Sequence, residues 1–189
     1  MNGNVYDSVM VDIETTGLRP DRSAIIQLSA VKFNLDTHEV DPNIFNRCLR
    51  PMPHRGWDEG TRSWWGQRKD LFQSIADRME DPFEVLDAFV KWASPGPLVF
   101  WSKPSHFDYP FVESHLFDAN LTSPFHHRAT RDMRSYIAGS GVPEPTNIPF
   151  EGEAHDAIYD AIHQLKVLFA AEKIRKERQC FTGLDSPIL

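Results

Sequence analysis

The stretch VMVDIETTGL, residues 9–18, begins as an apolar strand and carries two acids at alternate positions, Asp12 and Glu14. Side chains alternate faces along a strand, so both carboxylates point the same way. Like charges that close repel unless a cation lies between them. Hard oxygen ligands of this kind suit Mg2+ or Mn2+. Two solvated acids at a strand end would show the same spacing with no function. The flanks weigh toward a site: Val9, Met10 and Val11 set the pair at the end of a buried strand. Thr15, Thr16 and Gly17 follow as a small, tight turn, in which Gly17 lets a ligand approach the backbone.

The chain's 189 residues suit one domain, residues 1–189, with a core at about 5–176 and a tail at 177–189. Cys48 and Cys180 lie far apart and form no pair motif, which argues against a disulfide framework or a zinc site and for a reducing compartment. The N-terminus has no basic stretch followed by an apolar one, and no apolar run approaches the roughly 20 residues of a membrane span. These features predict a cytoplasmic protein without membrane contact. The net charge of −7 excludes a protein that grips duplex nucleic acid by bulk electrostatics. Any nucleic-acid contact is then local, such as one strand end, with a metal ion supplying positive charge.

Strands are predicted at residues 5–11, 24–35 and 43–49, spaced closely enough to favour antiparallel neighbours. A short helix follows at 61–67. Asp81-Pro82 opens a clearer one, in which Phe83, Leu86, Phe89, Val90 and Ala93 recur at helical spacing until Pro95-Gly96-Pro97. Further strands are expected at 98–101 and 129–131, and helices at 105–117, 133–138 and about 157–176. Strands first, then strands alternating with helices, predict an α/β mixed sheet covered by helices.

Three more residues complete a candidate constellation. Asp108 lies about one turn into its helix beside Phe107 and Phe111; alone, it reads as an exposed acid favoured by the helix dipole. Asp156 suits the N-cap of the last helix, which puts His155 on the preceding loop and Asp160 in the first turns. A loop histidine near carboxylates can serve as a general base, although a surface histidine and a helix-start acid account for each residue separately.

Together, D-x-E-T-T-G on the first strand, Phe107-Asp108 on a middle helix and H-x-x-x-x-D at the last helix resemble the DnaQ-like (DEDD) 3′–5′ exonucleases of the histidine subgroup, over about residues 5–170. Trp64-Trp65, Arg131-Asp132 and PFEGEAHDAIYDAIHQ are similar to a small branch of phage and bacterial exonucleases, some described as exoribonucleases. The resemblance implies a ribonuclease H-like mixed five-stranded sheet flanked by helices. It implies that Asp12, Glu14, Asp108 and Asp160 gather two Mg2+ or Mn2+ ions about 4 Å apart, and that His155 takes a proton from the attacking water. It further implies a single-stranded RNA or DNA 3′ end as partner and nucleoside 5′-monophosphates as product. Relatives often dimerise, which leaves a homodimer open. One position departs from the family: Lys103 stands where an Asn often precedes the middle Asp by five residues.

For the substrate, the resemblance points to backbone N–H groups of Thr15, Thr16, Gly17 and Leu18 on the terminal sugar, with Leu18 wedged against the last base. Trp64, Trp65 or Trp101 could stack on a base, with core packing as the alternative for each. Lys103 meets a phosphate or solvent. His126-His127 reads as surface. Asp132 reads as a helix cap, with Arg131 pairing to a carboxylate. Two rivals stay open: a nuclease-like module that binds a strand end or a partner without cutting, and a hydrolase of short oligonucleotides or nucleotide esters.

Overall fold

Val9, Val11 and Ile13 point to one side of the first strand and Met10 to the other, into two separate cores. That alternation organises the molecule. The computed structural model describes residues 6–94, 96 and 98–182. Strand β1 (Ser8–Thr15) is antiparallel to β2 (Ile25–Phe33), and β2 to β3 (Phe45–Leu49). On its other edge β1 runs parallel to Val99–Ser102 (β5), which runs parallel to Thr130–Asp132 (β6). Among the described residues the sheet has six strands rather than five. The sixth, β4 (Met79–Glu80), adds parallel to β3, giving the order β4-β3-β2-β1-β5-β6. Two residues are too short to announce themselves in a sequence; β4 exists because the chain returns beside β3.

Strand β1 runs on through Asp12 and Glu14, which pair in register with Ser29 and Gln27 and end at a bulge before Thr15. The acids therefore belong to the strand. Val5 of the expected first strand lies outside the described residues.

Helix α1 (Glu59–Gly66) starts at Asp58, whose carboxylate accepts from the Thr61 N–H at 2.9 Å. Helix α2 (Lys69–Ala76) was not apparent from the sequence, because its N-cap, Arg68, makes no side-chain capping bond. Helix α3 (Pro82–Ala93) has the expected Asp81 cap and Pro82 in its first turn. It ends at Ser94; Pro95 and Pro97 lie outside the described residues. Phe45, Phe89, Phe100 and Phe111 join α3, helix α4 (Ser105–Asp118) and the sheet on one face. Each fully buried aromatic or aliphatic side chain there contributes about 1.5–3 kcal/mol.

Helix α5 (Met133–Gly139) and the long α6 (Ala157–Thr182) cover the opposite face through Met133, Ile137, Leu165 and Leu168. The last helix extends past Lys176 to Thr182; the rest of the expected tail, 183–189, lies outside the described residues. Asp132 caps two helices at once: Oδ1 accepts from the Ser135 N–H at 2.8 Å and Oδ2 from the Ser105 N–H at 2.9 Å. Arg131, expected against a carboxylate, donates instead to the carbonyls of Arg128 and Thr130. No helix among the described residues is long and apolar enough to cross a membrane.

Candidate active site

Asp12 and Glu14 share the parity of Met10 and so face the α6 side of β1. The start of α6 is pinned beneath them by Gln27, a fully buried residue of β2. Its Nε2 donates to Asp156 Oδ1 at 2.6 Å and its Oε1 accepts from the Ala157 N–H at 3.2 Å. Asp156 was expected to cap this helix with its own side chain. It does so weakly, since the Ile158 N–H reaches its carboxylate only at 3.4 Å; Gln27 serves the first helical N–H instead. This docking sets Asp160 in the first turn and Gln164 one turn later, where its Nε2 donates to Asp12 Oδ1 at 2.7 Å. Gln164 was missed in the sequence, although its place four residues after Asp160 on one helix face was available as a signal.

Helix α4 brings in Asp108, only 3% exposed. The reading of Asp108 as an exposed helix acid is thereby overturned: the first turn of α4 abuts the end of β1, and the carboxylate points inward. His155 completes the group from the loop. Its φ of 66° is in the left-handed region, and its N–H donates to Asp160 Oδ2 at 2.8 Å. Glu14, Asp160 and His155 each offer a ligand atom, all within 4.8 Å of one another. The loop needs Gly152, at φ 99°, because a Cβ there would sit 2.1 Å from the Tyr159 ring.

The electrostatics of the four acids agree with their crowding. Burial pushes Asp12 well above the usual carboxylate range, and Asp108, Glu14 and Asp160 push it further; the Gln164 hydrogen bond works the other way. Glu14 is raised by burial and then by Asp160 and Asp108. Burial raises Asp108 to about 7. Asp160 is also raised by burial, opposed by the His155 N–H.

Beside these acids opens a cleft of about 410 Å3, lined among others by Glu14, Leu18, Trp64, Phe107 and His155. Leu18 is 71% exposed at its mouth. Trp65 is a buried wall whose Nε1 donates to the Thr15 carbonyl at 3.0 Å. Trp64 is the more open of the pair and meets the His155 ring edge-to-face at 4.9 Å.

Thr15 and Thr16 serve the turn itself. Thr15 Oγ1 donates to the Gly17 carbonyl, while Thr16 Oγ1 donates to the Gly56 carbonyl and accepts from the Ala24 N–H. The Thr16 N–H, expected on the substrate, is committed to the Ala24 carbonyl at 2.9 Å. Gly17 permits close approach, but of the protein to itself. A Cβ there would lie 2.4 Å from Ser23 Oγ and 2.8 Å from Asp58 Cβ.

The remaining candidates are engaged by the protein itself. Lys103 is ion-paired to Glu144. Trp101 is core, packed edge-on against Tyr136, and cannot stack on a substrate base. His126 and His127 are exposed, as expected, but stack on each other at 4.4 Å because they lie on a loop rather than a strand.

No curated protein matches this sequence. Solved structures do match its fold. The nuclease domain of 3′hExo, a DEDDh family member bound to rAMP, aligns with TM-score 0.63 at 19% identity over 90% of this chain and 93% of that one. E. coli Exonuclease I in complex with a dT13 oligonucleotide aligns with TM-score 0.64 at 14% identity; 92% of this chain is covered, but the chain spans only 42% of that enzyme. S. pombe Pop2p, in its Mg2+- and Mn2+-bound form, aligns with TM-score 0.65 at 10% identity over 87% of this chain and 82% of that one. These likenesses establish a ribonuclease H-like α/β fold. Residues 7–171 match the family described as the 3′-5′ exoribonuclease Rv2179c-like domain. A chain with carboxylates from β1, α4 and α6 crowded beside one cleft, on that fold and with that match, belongs to the Rv2179c-like family of 3′–5′ exonucleases, hydrolases of nucleic acid.

Proposed function

We propose that Asp12, Glu14, Asp108 and Asp160 hold two divalent cations, Mg2+ or Mn2+, and that His155 is the general base in removing the 3′-terminal nucleotide of a single strand. RNA is the favoured substrate, on the family's description. The observation that carries this reading is the gathering of four acids from three elements, with His155 beside two of them. Among the described residues none of the four is ion-paired to a lysine or arginine. Buried charges left so are costly without a cation, and an all-carboxylate donor set fits a hard one. Gln164 Oε1 is buried there without a hydrogen-bond partner as well.

Bound cations would acidify the attacking water and offset charge on the phosphate oxygens. His155 accepts the water's proton and, being exposed, passes it to solvent. The water oxygen bonds to phosphorus as the P–O3′ bond breaks. The terminal residue leaves as a nucleoside 5′-monophosphate, and the departing O3′ takes a proton from solvent, so the shortened strand ends in a 3′-hydroxyl. Leu18 wedges against the terminal base, Trp64 and Trp65 wall its site, and the N–H groups of Gly17 and Leu18 hold the terminal sugar. Lys103 would have to leave Glu144 to meet a phosphate. The rAMP bound by the 3′hExo nuclease domain supports a mononucleotide-sized site. The net charge of −7 accords with a grip on one strand end.

The test uses 5′- and 3′-labelled oligonucleotides with Mn2+, Mg2+ or EDTA. Stepwise shortening of the 5′-labelled strand, release of labelled mononucleotide from the other and a block by EDTA are expected. His155→Ala should cut turnover heavily and leave metal affinity largely intact; cleavage at the wild-type rate would remove His155 from its role. Binding without cleavage under every metal condition would leave a strand-end-binding module instead.

A further inference from the structure

Helix α1 has two working faces. Thr61 and Trp64 line the cleft described above, whereas Arg62 and Gly66 line a second cavity of about 570 Å3. The Trp65 ring is a wall of both. The floor of the second cavity is aromatic: Trp57 meets Phe72 edge-to-face at 5.6 Å, and Phe72 leans on Trp65 at 5.7 Å. Its rim is cationic. Arg62 lies over the Trp57 ring at 5.8 Å, and Lys69 stands at the start of α2.

No Asp or Glu lines this cavity. Among the described residues neither Arg62 nor Lys69 is ion-paired to a carboxylate. Several exposed cations of this acidic chain do pair, as Arg19 with Asp21, Lys91 with Asp87 and Lys166 with Glu151, while others, such as Arg50 and Arg131, donate to backbone carbonyls instead. Packing alone accounts for the rings, since Trp57, Leu71 and Phe72 lie against a small core of Ile26, Cys48, Trp65 and Ile75. It does not account for the open volume or for two uncompensated cations at its edge.

We propose that this cavity binds a nucleotide unit upstream of the scissile bond, in the same strand whose 3′ end occupies the cleft. A base stacks on Trp57 or Phe72, which tolerates any sequence, while Arg62 and Lys69 meet the backbone phosphates. The proposal rests on the exonuclease reading above. It adds that the enzyme has two grips on a strand, one on either side of α1, and that strands too short to reach the second bind weakly.

The experiment compares a dinucleotide with a single-stranded 12-nucleotide RNA, using the full chain with Mn2+ across a range of salt. The Arg62→Gln/Lys69→Gln double variant removes only exposed charges and should fold normally. It should raise the KM for the 12-mer about tenfold, leave kcat and the dinucleotide KM unchanged, and reduce the slope of log affinity against log salt by about 1.4, the share of two phosphate contacts on a single strand. Trp57→Ala should raise the 12-mer KM about tenfold more, with Trp57→Phe retaining most of the affinity.

Equal effects on both substrates, or none on either, would overturn the proposal. A free nucleotide has the same chemistry, so inhibition by AMP is measured alongside. If the double variant weakened AMP inhibition and left the 12-mer KM alone, the cavity would belong to released product and not to the strand. Should the wild-type chain cleave neither RNA, the exonuclease reading fails by itself. Fluorescence anisotropy with the same two RNAs then decides the cavity, and equal affinity of wild type and double variant for the 12-mer would overturn it.

Discussion

The side-chain amide of Gln164 donates to Asp12 Oδ1 at 2.7 Å, joining α6 to β1 across 152 residues of sequence. It holds the Asp12 carboxylate in one orientation and counters its desolvation. Gln164→Leu should therefore raise the Mn2+ concentration for half-maximal activity about 10–100-fold, as loss of an outer hydrogen bond to a metal ligand does. A metal titration of activity checks this, with circular dichroism to confirm the fold. An unchanged metal requirement would make the contact purely structural.

Asp12 suffers burial and three like charges in the metal-free protein. Asp12→Asn removes that repulsion and keeps an acceptor for Gln164. The expected result is a metal-free protein that melts higher, by about 2–4 °C for each kcal/mol relieved in a chain of this size, yet releases no mononucleotide. Thermal melts with EDTA beside a labelled-oligonucleotide assay test both halves.

The same burial gives a pH dependence of defined sign. Asp108 is raised from the ordinary carboxylate value of 3.8 to about 7, and Asp12, Glu14 and Asp160 are raised too. A raised folded-state value means that the native protein holds protons which the unfolded chain has lost. For Asp108 that stabilising contribution is complete below about pH 3.8 and is lost as pH climbs through about 7. Metal-free protein should thus lose stability over that window. Cations need the deprotonated acids, so the stability gained from saturating Mg2+ or Mn2+ should grow over the same range. Denaturant titrations at pH 5 and pH 7.5, with EDTA or with metal, give the comparison; a stabilisation by metal that did not change with pH would contradict the burial argument.

Arg55 sits with its side chain 1% exposed and reaches four partners at once. Nη1 donates to the carbonyls of Pro20 and Ser23, and Nη2 to Ser114 Oγ and to Asp118 at 2.5 Å. The turn after Leu18 is thereby tied to α4. Arg55→Met should cost about 1–3 kcal/mol, since the Pro20 and Ser23 carbonyls lose their donor and Asp118 is left with His54 alone. Arg55→Lys should recover little, because a single ammonium cannot replace the planar fork. Urea unfolding measures both.

Local sequence determined a good part of this architecture. Asp81 and Asp132 announced helix starts through capping chemistry that acts over two or three residues, whereas the Asp58 cap, which precedes the expected start of α1 at Thr61, did not. The two-residue spacing of Asp12 and Glu14 after an apolar run assigned both to one face of a strand before any partner was known. Features that depend on distant chain segments were not legible. Helix α2 has no side-chain cap, and β4 exists only beside β3. Gly17 looked like an opening for a ligand; the side chains that approach it belong to Ser23 and Asp58.

Strand parity and helix capping are local, so the chain's own order of residues was enough to put Asp12 and Glu14 on one strand face, Asp108 on a helix, and His155 and Asp160 at the start of the last helix. Their neighbours came from the folded molecule alone. It buried Asp108, paired Lys103 with Glu144, withdrew Trp101 into the core and set His155 against Trp64. Those outcomes follow from how helices dock on a sheet. Docking is governed by the area and charge that distant segments bury together, and no short window of sequence contains that.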